Sequence, residues 1–190
     1  SLDLVPFPAR HLFEFPHRYR TPFRLEPVNS MQIVSSRGCT EHCVFCFRGG
    51  FKDTITFRSP KNVLEEVKLS LNKFNVRQFD FIDEYLTYDL DHIGEVAQRM
   101  KDEKLGIHWA ANNTRADSKA DYEFFRFLKS TGCFRVSFGV ESGNDTVLHK
   151  IGKGITTEEV RRTIDMANKA GLFVAAFFII GHHADTPATM

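Results

Sequence analysis

Along this chain the apolar positions switch repeatedly between short strand-like runs and a helical stripe. Met31 to Ser36 predicts a strand, and Ser59-Pro60 opens a helix whose Val63, Val67, Leu71 and Phe74 share one face. Val76 to Asp83 predicts a second strand, followed by a helix that aligns Ile93, Val96, Ala97 and Met100. Past Gly106, Ile107 to Ala111 predicts a third strand, and the next helix carries Tyr122, Phe125 and Leu128 towards Gly132. Cys133 to Val140 predicts the fourth strand. Thr156 and Glu159 have the spacing of a capping box, before a helix bearing Val160, Ile164 and Ala167 and closed by Gly171. Leu172 to Ile180, apolar almost throughout, predicts the fifth.

Strands alternating with helices imply right-handed βαβ units and a parallel sheet, an α/β fold. A doubly wound sheet and a barrel both satisfy that pattern. A dinucleotide-binding sheet would place a glycine-rich phosphate turn after its first strand, whereas this loop is long and carries cysteines, which favours the barrel. The chain ends within ten residues of the fifth strand. The expected architecture is therefore a partial parallel (β/α) barrel, truncated after about the fifth strand and part of a longer protein. Five of the seven prolines fall before residue 28, where they preclude regular elements. Residues 1–30 read as an extended arm or inter-domain linker, and 31–190 as an incomplete core domain.

Charge adds only exclusions. With 25 Lys and Arg against 24 Asp and Glu the net charge is +1, giving no electrostatic reason for nucleic acid or an anionic membrane as a partner. The apolar run 172–180 is under half a membrane span, and Arg10, Glu14 and Arg18 stand where a signal peptide needs an apolar centre. A cytoplasmic protein is expected. Its 19 phenylalanines imply a bulky, aromatic-walled core.

Cysteine placement changes the picture more. Cys39, Cys43 and Cys46 sit within eight residues of a chain with no other sign of a disulfide scaffold, a crowding that points to metal or redox chemistry. Cys133 lies in an apolar run and reads as a small buried hydrophobe. Structural zinc takes four ligands, usually from two close cysteine pairs, and only Cys43 with Cys46 makes such a pair. An iron–sulfur cluster also usually takes four cysteines, so three imply an iron left open for chemistry. A non-catalytic zinc module with a distant fourth ligand is the alternative.

In parallel α/β folds the site gathers at the carboxyl ends of the strands. Those ends carry the three cysteines, then Asp83-Glu84, then Asn112, Asn113 and Arg115, then Glu141-Ser142-Gly143, and last Gly181-His182-His183. Polar and metal-binding groups thus collect on one rim. The three cysteine sulfurs are expected to converge on one point at the barrel mouth, with Glu141 and Asp83 facing that mouth and Cys133 buried away from it.

The C-x-x-x-C-x-x-C spacing, with Phe45 before the third cysteine, resembles the radical S-adenosylmethionine (SAM) enzymes. "SSRGCTEHCVFCFRGG", "FRSPKNVLEEV", "FDFIDEYLTYD", "FRVSFGVESGNDTVLHKIGKGITTEEVRRTI" and "GLFVAAFFIIG" are similar to successive blocks of that superfamily, in order, over residues 31 to 181. "DLVPFPARHLF" resembles the segment that precedes the core in the cobalamin-binding branch. The resemblance implies a 4Fe–4S cluster on Cys39, Cys43 and Cys46, whose fourth iron is chelated by SAM. Reductive cleavage then gives a 5′-deoxyadenosyl radical that abstracts hydrogen from an unknown substrate, with cobalamin-assisted methylation or rearrangement as subclasses. It also implies an electron donor such as a flavodoxin or ferredoxin.

Carried over by position, Phe45 would pack near the adenine and Asp83-Glu84 would receive the SAM amino group. Glu141, in its block with Ser142, would accept from a ribose hydroxyl. Ile179, Ile180 and Gly181 would offer backbone contacts to the adenine, and Arg115 would pair with the SAM carboxylate. No residue is singled out as catalytic. No D-x-H-x-x-G cobalamin motif occurs, so any cobalamin would be bound by a domain outside this chain. The branch commonly reads Gly-Leu-Pro-Gly-Glu-Thr after the fifth strand, where this chain has Gly181-His182-His183-Ala184-Asp185-Thr186. The two histidines are open to roles as ligands, acid/base groups or a solvated loop end.

Overall fold

Five parallel strands stand side by side in chain order at the centre of the protein, seen here in a computed structural model that describes residues 1–12, 29–47, 53–117 and 119–190. The elements are β1 (Asn29–Ile33), β2 (Ser36–Arg37), β3 (Thr56–Phe57), α1 (Pro60–Phe74), β4 (Val76–Phe81), α2 (Leu90–Asp102), β5 (His108–Thr114), α3 (Tyr122–Ser130), β6 (Cys133–Glu141), α4 (Asp145–Lys150), α5 (Thr157–Lys169) and β7 (Phe173–Phe178). The sheet order is β1-β4-β5-β6-β7, every neighbour parallel. That is the partial (β/α) barrel the periodicity predicts.

Local signals place most of the ends. The Ser59 hydroxyl accepts from the Asn62 amide with Pro60 at the first helical position, and Asn75 closes α1 in the left-handed region at φ 50°. Thr156 and Glu159 form the reciprocal capping box at α5. Two features were not foreseen. Residues 36–37 and 56–57 pair as an antiparallel ladder that closes the base of the cysteine loop, and the short α4 starts on an Asn144 cap. The first strand also stops at Ile33 rather than Ser36, because the amide and hydroxyl of Ser35 turn to Asp83 instead of the sheet.

Phe79 and Phe81 of β4, Trp109 of β5 and Phe138 of β6 face the helices and are buried, with Phe81 edge-on to Trp109 at 5.5 Å. Each such side chain stabilises the fold by roughly 1.5–3 kcal/mol relative to exposure. The opposite face is polar. Arg135 Nη2 donates to Asn112 Oδ1 at 2.9 Å and lies 3.2 Å from Asp80 Oδ1, while Ser137 Oγ donates to the same Asn112 oxygen at 3.1 Å. β7 is an edge strand, and Phe173, Phe177 and Phe178 remain exposed on it.

Residues 1–12 clip onto α1. Asp3 Oδ1 accepts from the Ser59 amide at 2.8 Å, the Arg58 guanidinium lies over Phe7, and Arg10 Nη1 meets Glu66 Oε1 at 2.5 Å. Two 3-10 turns, Leu2–Leu4 and Arg10–Leu12, interrupt this segment. Of the rest of the expected 1–30 arm, residues 13–28 lie outside the described residues, and Asn29 and Ser30 belong to β1, so the core begins two residues earlier than expected. Among the described residues no helix is long and apolar enough to cross a membrane.

Candidate active site

At the carboxyl ends of the strands, Cys39, Cys43 and Cys46 line one cavity of about 450 Å³, within the usual range of small-molecule sites. Their loop is tethered from below. The Val44 amide donates to the Ile151 carbonyl at 3.0 Å, and Gly152, at φ +67°, lets the His42 carbonyl come so close that an added Cβ would lie 3.2 Å from its oxygen. At the loop's start, the Gly38 amide donates to Glu84 Oε2 at 3.1 Å. The turn from Ile151 to Gly154 is thus the floor on which the cysteine loop rests. Burial pushes the Cys43 thiol up, and the nearby Lys153 and Arg115 charges oppose it.

Glu141 ends β6 in the left-handed region, at φ 73°, and its carboxylate folds back into the space beside Gly139. A Cβ on residue 139 would sit 2.6 Å from Glu141 Oε1. The Lys153 ammonium donates to that same oxygen at 3.1 Å, and both side chains are largely buried while lining the cavity. A strained backbone, an absent side chain and a buried counter-charge together hold one carboxylate at the mouth.

Other expected residues divide. Phe45 lines the cavity and packs on His182, ring centroids 5.2 Å apart. Glu84, Arg115 and Ile179 line it as well. Asp83 does not. Its carboxylate is fully buried and accepts from the Ser35 amide and from both the Ser35 and Ser36 hydroxyls, the latter pair at 2.7 and 2.6 Å. The expectation that it faces the mouth is corrected on this point: Asp83 points under the loop, and Glu84, one residue on, points into the cavity. Ser142 and Ile180 line a smaller neighbouring cavity of about 170 Å³ that shares Glu141 and Ile179. Gly181 lines neither, its amide being taken by Asp185 Oδ2 at 2.9 Å. Cys133 is buried away from the mouth, and burial pushes its thiol up to about 12.

Sequence reasoning passed over Lys153, Glu41 and Tyr85, all on the cavity wall. Only Lys153 had a local signal, a glycine on either side in Gly152-Lys153-Gly154. The donor set fits a cluster with SAM: three thiols, an aromatic ring, a carboxylate and an ammonium line the same cavity. Among the described residues no three His, Cys, Asp or Glu side chains are placed to hold a single metal ion. The expectation that the three sulfurs converge on one point is corrected to a shared cavity wall; in a 4Fe–4S cluster each thiolate would hold a different iron, which asks for three nearby thiols and not for one meeting point. The zinc-module alternative is not supported.

The sequence profile described as the Radical SAM superfamily matches residues 33–190. The chain belongs to the radical SAM superfamily. Relatives of this radical SAM chain include the cytidylyl-2-hydroxyethylphosphonate methyltransferase of Streptomyces wedmorensis, 32% identical over 95% of the chain and 35% of that protein. The anaerobic magnesium-protoporphyrin IX monomethyl ester cyclase of Rubrivivax gelatinosus is 27% identical over 86% of the chain and 30% of that protein. In fold the chain is similar to the radical SAM methyltransferase TsrM of Kitasatospora setae, solved with cobalamin and a [4Fe-4S] cluster bound, with a TM-score of 0.74 at 19% identity over 85% of this chain and 33% of that one. The chain spans about a third of the length of these relatives. Radical SAM enzymes use a 4Fe–4S cluster and SAM, and the cavity offers the thiols and polar groups for both.

Proposed function

We propose that this chain is the cluster- and SAM-binding core of a cobalamin-assisted radical SAM enzyme that transfers a methyl group to, or rearranges, an organic substrate. The observation that carries the reading is the single cavity shared by Cys39, Cys43, Cys46, Phe45 and the Glu141–Lys153 pair. The methyltransferase and cyclase among its relatives, and a cobalamin-bound structural neighbour, support the branch. The residues before β1 then serve as the arm towards a cobalamin-binding domain outside 1–190.

When bound, the cluster and SAM supply one-electron cleavage of a carbon–sulfur bond and hydrogen abstraction from the substrate. The chain's own residues do the placing. Cys39, Cys43 and Cys46 hold iron, Phe45 covers the adenine, and Glu84 accepts from the SAM amino group. Glu141 accepts from a ribose hydroxyl, with the Ile179 and Ile180 backbone beside the adenine. Ser142 and Gly181 act from behind, Ser142 by accepting from the Asn144 amide and Gly181 by closing the turn onto Asp185. Asp83 supports the loop through Ser35 and Ser36. Lys153, whose ammonium has Glu141 as its hydrogen-bond partner, faces the SAM carboxylate. A cytoplasmic flavodoxin or ferredoxin donates the electron.

Anaerobic reconstitution with iron and sulfide tests this. About four irons per chain, SAM binding, and 5′-deoxyadenosine release on dithionite reduction are expected. Stoichiometric zinc with no SAM cleavage would overturn it.

A further inference from the structure

Arg115 touches three separate connections at once. Its side chain is only 9% exposed. Nη1 lies 2.9 Å from Glu41 Oε2, Nε lies 3.4 Å from Asp117 Oδ2, and Nη2 donates to the Lys153 carbonyl. Glu41 belongs to the cysteine loop, Asp117 to the connection after β5, and Lys153 to the turn between α4 and α5. The far anchor is itself held, because the Tyr85 hydroxyl donates to Asp117 Oδ2 at 2.5 Å. Glu41 sits two residues from Cys39 and two from Cys43, a short lever on both.

We propose that Arg115 is a positioning residue of the cysteine loop, acting through Glu41 to hold the thiols in place before iron arrives. The proposal rests on the cluster reading above. A loop that must order around a cluster loses conformational freedom when it does so, and a charge-assisted tie to a rigid anchor moves that loss into folding. Three of the five guanidinium N–H donors already face protein oxygens, one at each nitrogen, so the side chain's geometry is set by the protein before any ligand enters. The structure therefore assigns Arg115 to the loop and leaves the SAM carboxylate to Lys153.

The test uses the anaerobically reconstituted chain and its Glu41→Gln, Arg115→Gln, Arg115→Lys and Glu41→Gln/Arg115→Gln variants. Cluster loss to a ferrous chelator is followed by visible absorbance, and the EPR spectrum of the reduced cluster is recorded with and without SAM. Glu41→Gln and Arg115→Gln should each lose the cluster about tenfold faster than the parent, and the double variant no faster than Arg115→Gln alone, because the Arg115–Glu41 tie is already gone in that single variant. Arg115→Lys should recover part of the loss, and the cluster retained in every variant should still change its spectrum on adding SAM. Glu41 is 30% exposed, so Glu41→Gln keeps the test decisive even if Arg115→Gln fails to fold. Parent-like cluster retention in Glu41→Gln, or additive effects, would overturn the proposal. So would an Arg115→Gln chain that keeps its cluster and loses the SAM response, which would make Arg115 a SAM ligand. A parent that assembles no cluster would instead sink the cluster reading on which the proposal rests.

Discussion

The Lys153 ammonium stands 3.1 Å from Glu141 Oε1, inside a space that exists because residue 139 has no side chain. Both side chains are largely buried and each is the other's hydrogen-bond partner, so the pair presents a fixed carboxylate to whatever enters the cavity. Fixed polar groups lose little freedom on binding, and that makes the pair a recognition element more than a stabilising one.

Glu141→Gln should therefore leave iron content unchanged and weaken SAM binding about tenfold, the amide recovering only part of a charge-assisted bond. Gly139→Ala should do the same by a different route, since its Cβ would displace the carboxylate. Iron analysis and SAM titration on the same anaerobic samples read both. Cys43→Ala should show the opposite profile, with no cluster.

Gly152→Ala addresses the floor of the loop. The new Cβ meets the His42 carbonyl, and alanine at φ +67° costs about 1–2 kcal/mol. A modest drop in melting temperature is expected alongside a large drop in retained iron, since the strain falls where the loop is tethered. Loss of stability with full iron retention would show that the contact is not used to place the cysteines.

Asp83 predicts a pH dependence. Burial holds its carboxyl above the ordinary 3.8, while hydrogen bonds from Ser35 and Ser36 pull the other way. The folded chain thus binds this proton more tightly than the unfolded chain. Its contribution to stability is greatest below pH 3.8 and falls as pH rises through the folded value. Asp83→Asn abolishes that decline but leaves three donors facing a single amide oxygen, at about 1–3 kcal/mol. Urea midpoints should show the gap between parent and variant narrowing from acid towards neutral pH. A gap that widens would reverse the sign of the shift.

Glu66 predicts how the arm is held. Its carboxylate is 2% exposed and lies 2.5 Å from both Arg10 Nη1 and Arg58 Nη1. Glu66→Ala would leave two guanidinium groups facing each other without a counter-charge, a loss of about 3–5 kcal/mol in the denaturation free energy. Arg10→Ala removes a more exposed partner and should cost less, while making residues 1–12 an early target in limited proteolysis.

Much of this protein was legible one stretch at a time. Ser59-Pro60 and the Thr156–Glu159 pair marked helix starts because a cap is satisfied by atoms three residues away. The order of strands and helices followed from period, and the spacing of Cys39, Cys43 and Cys46 carried the chemistry because thiols in that pattern have few other uses.

Direction and partnership came from the tertiary structure. Asp83 and Glu84 are neighbours in sequence, yet one points under the loop and the other into the cavity, because both lie in the turn after β4, where the hydrogen bonds of Ser35 and Ser36 fix the direction of Asp83 and no strand period sets either. Lys153 reaches Glu141, and Arg115 reaches Glu41, across connections whose lengths carry no record of the meeting. Parallel crossovers return every strand end to one rim, so residues far apart in the chain become neighbours there. Composition and periodicity describe each segment separately. Contacts between the loops depend on how the packed strands align, and that alignment is a property of the assembled sheet.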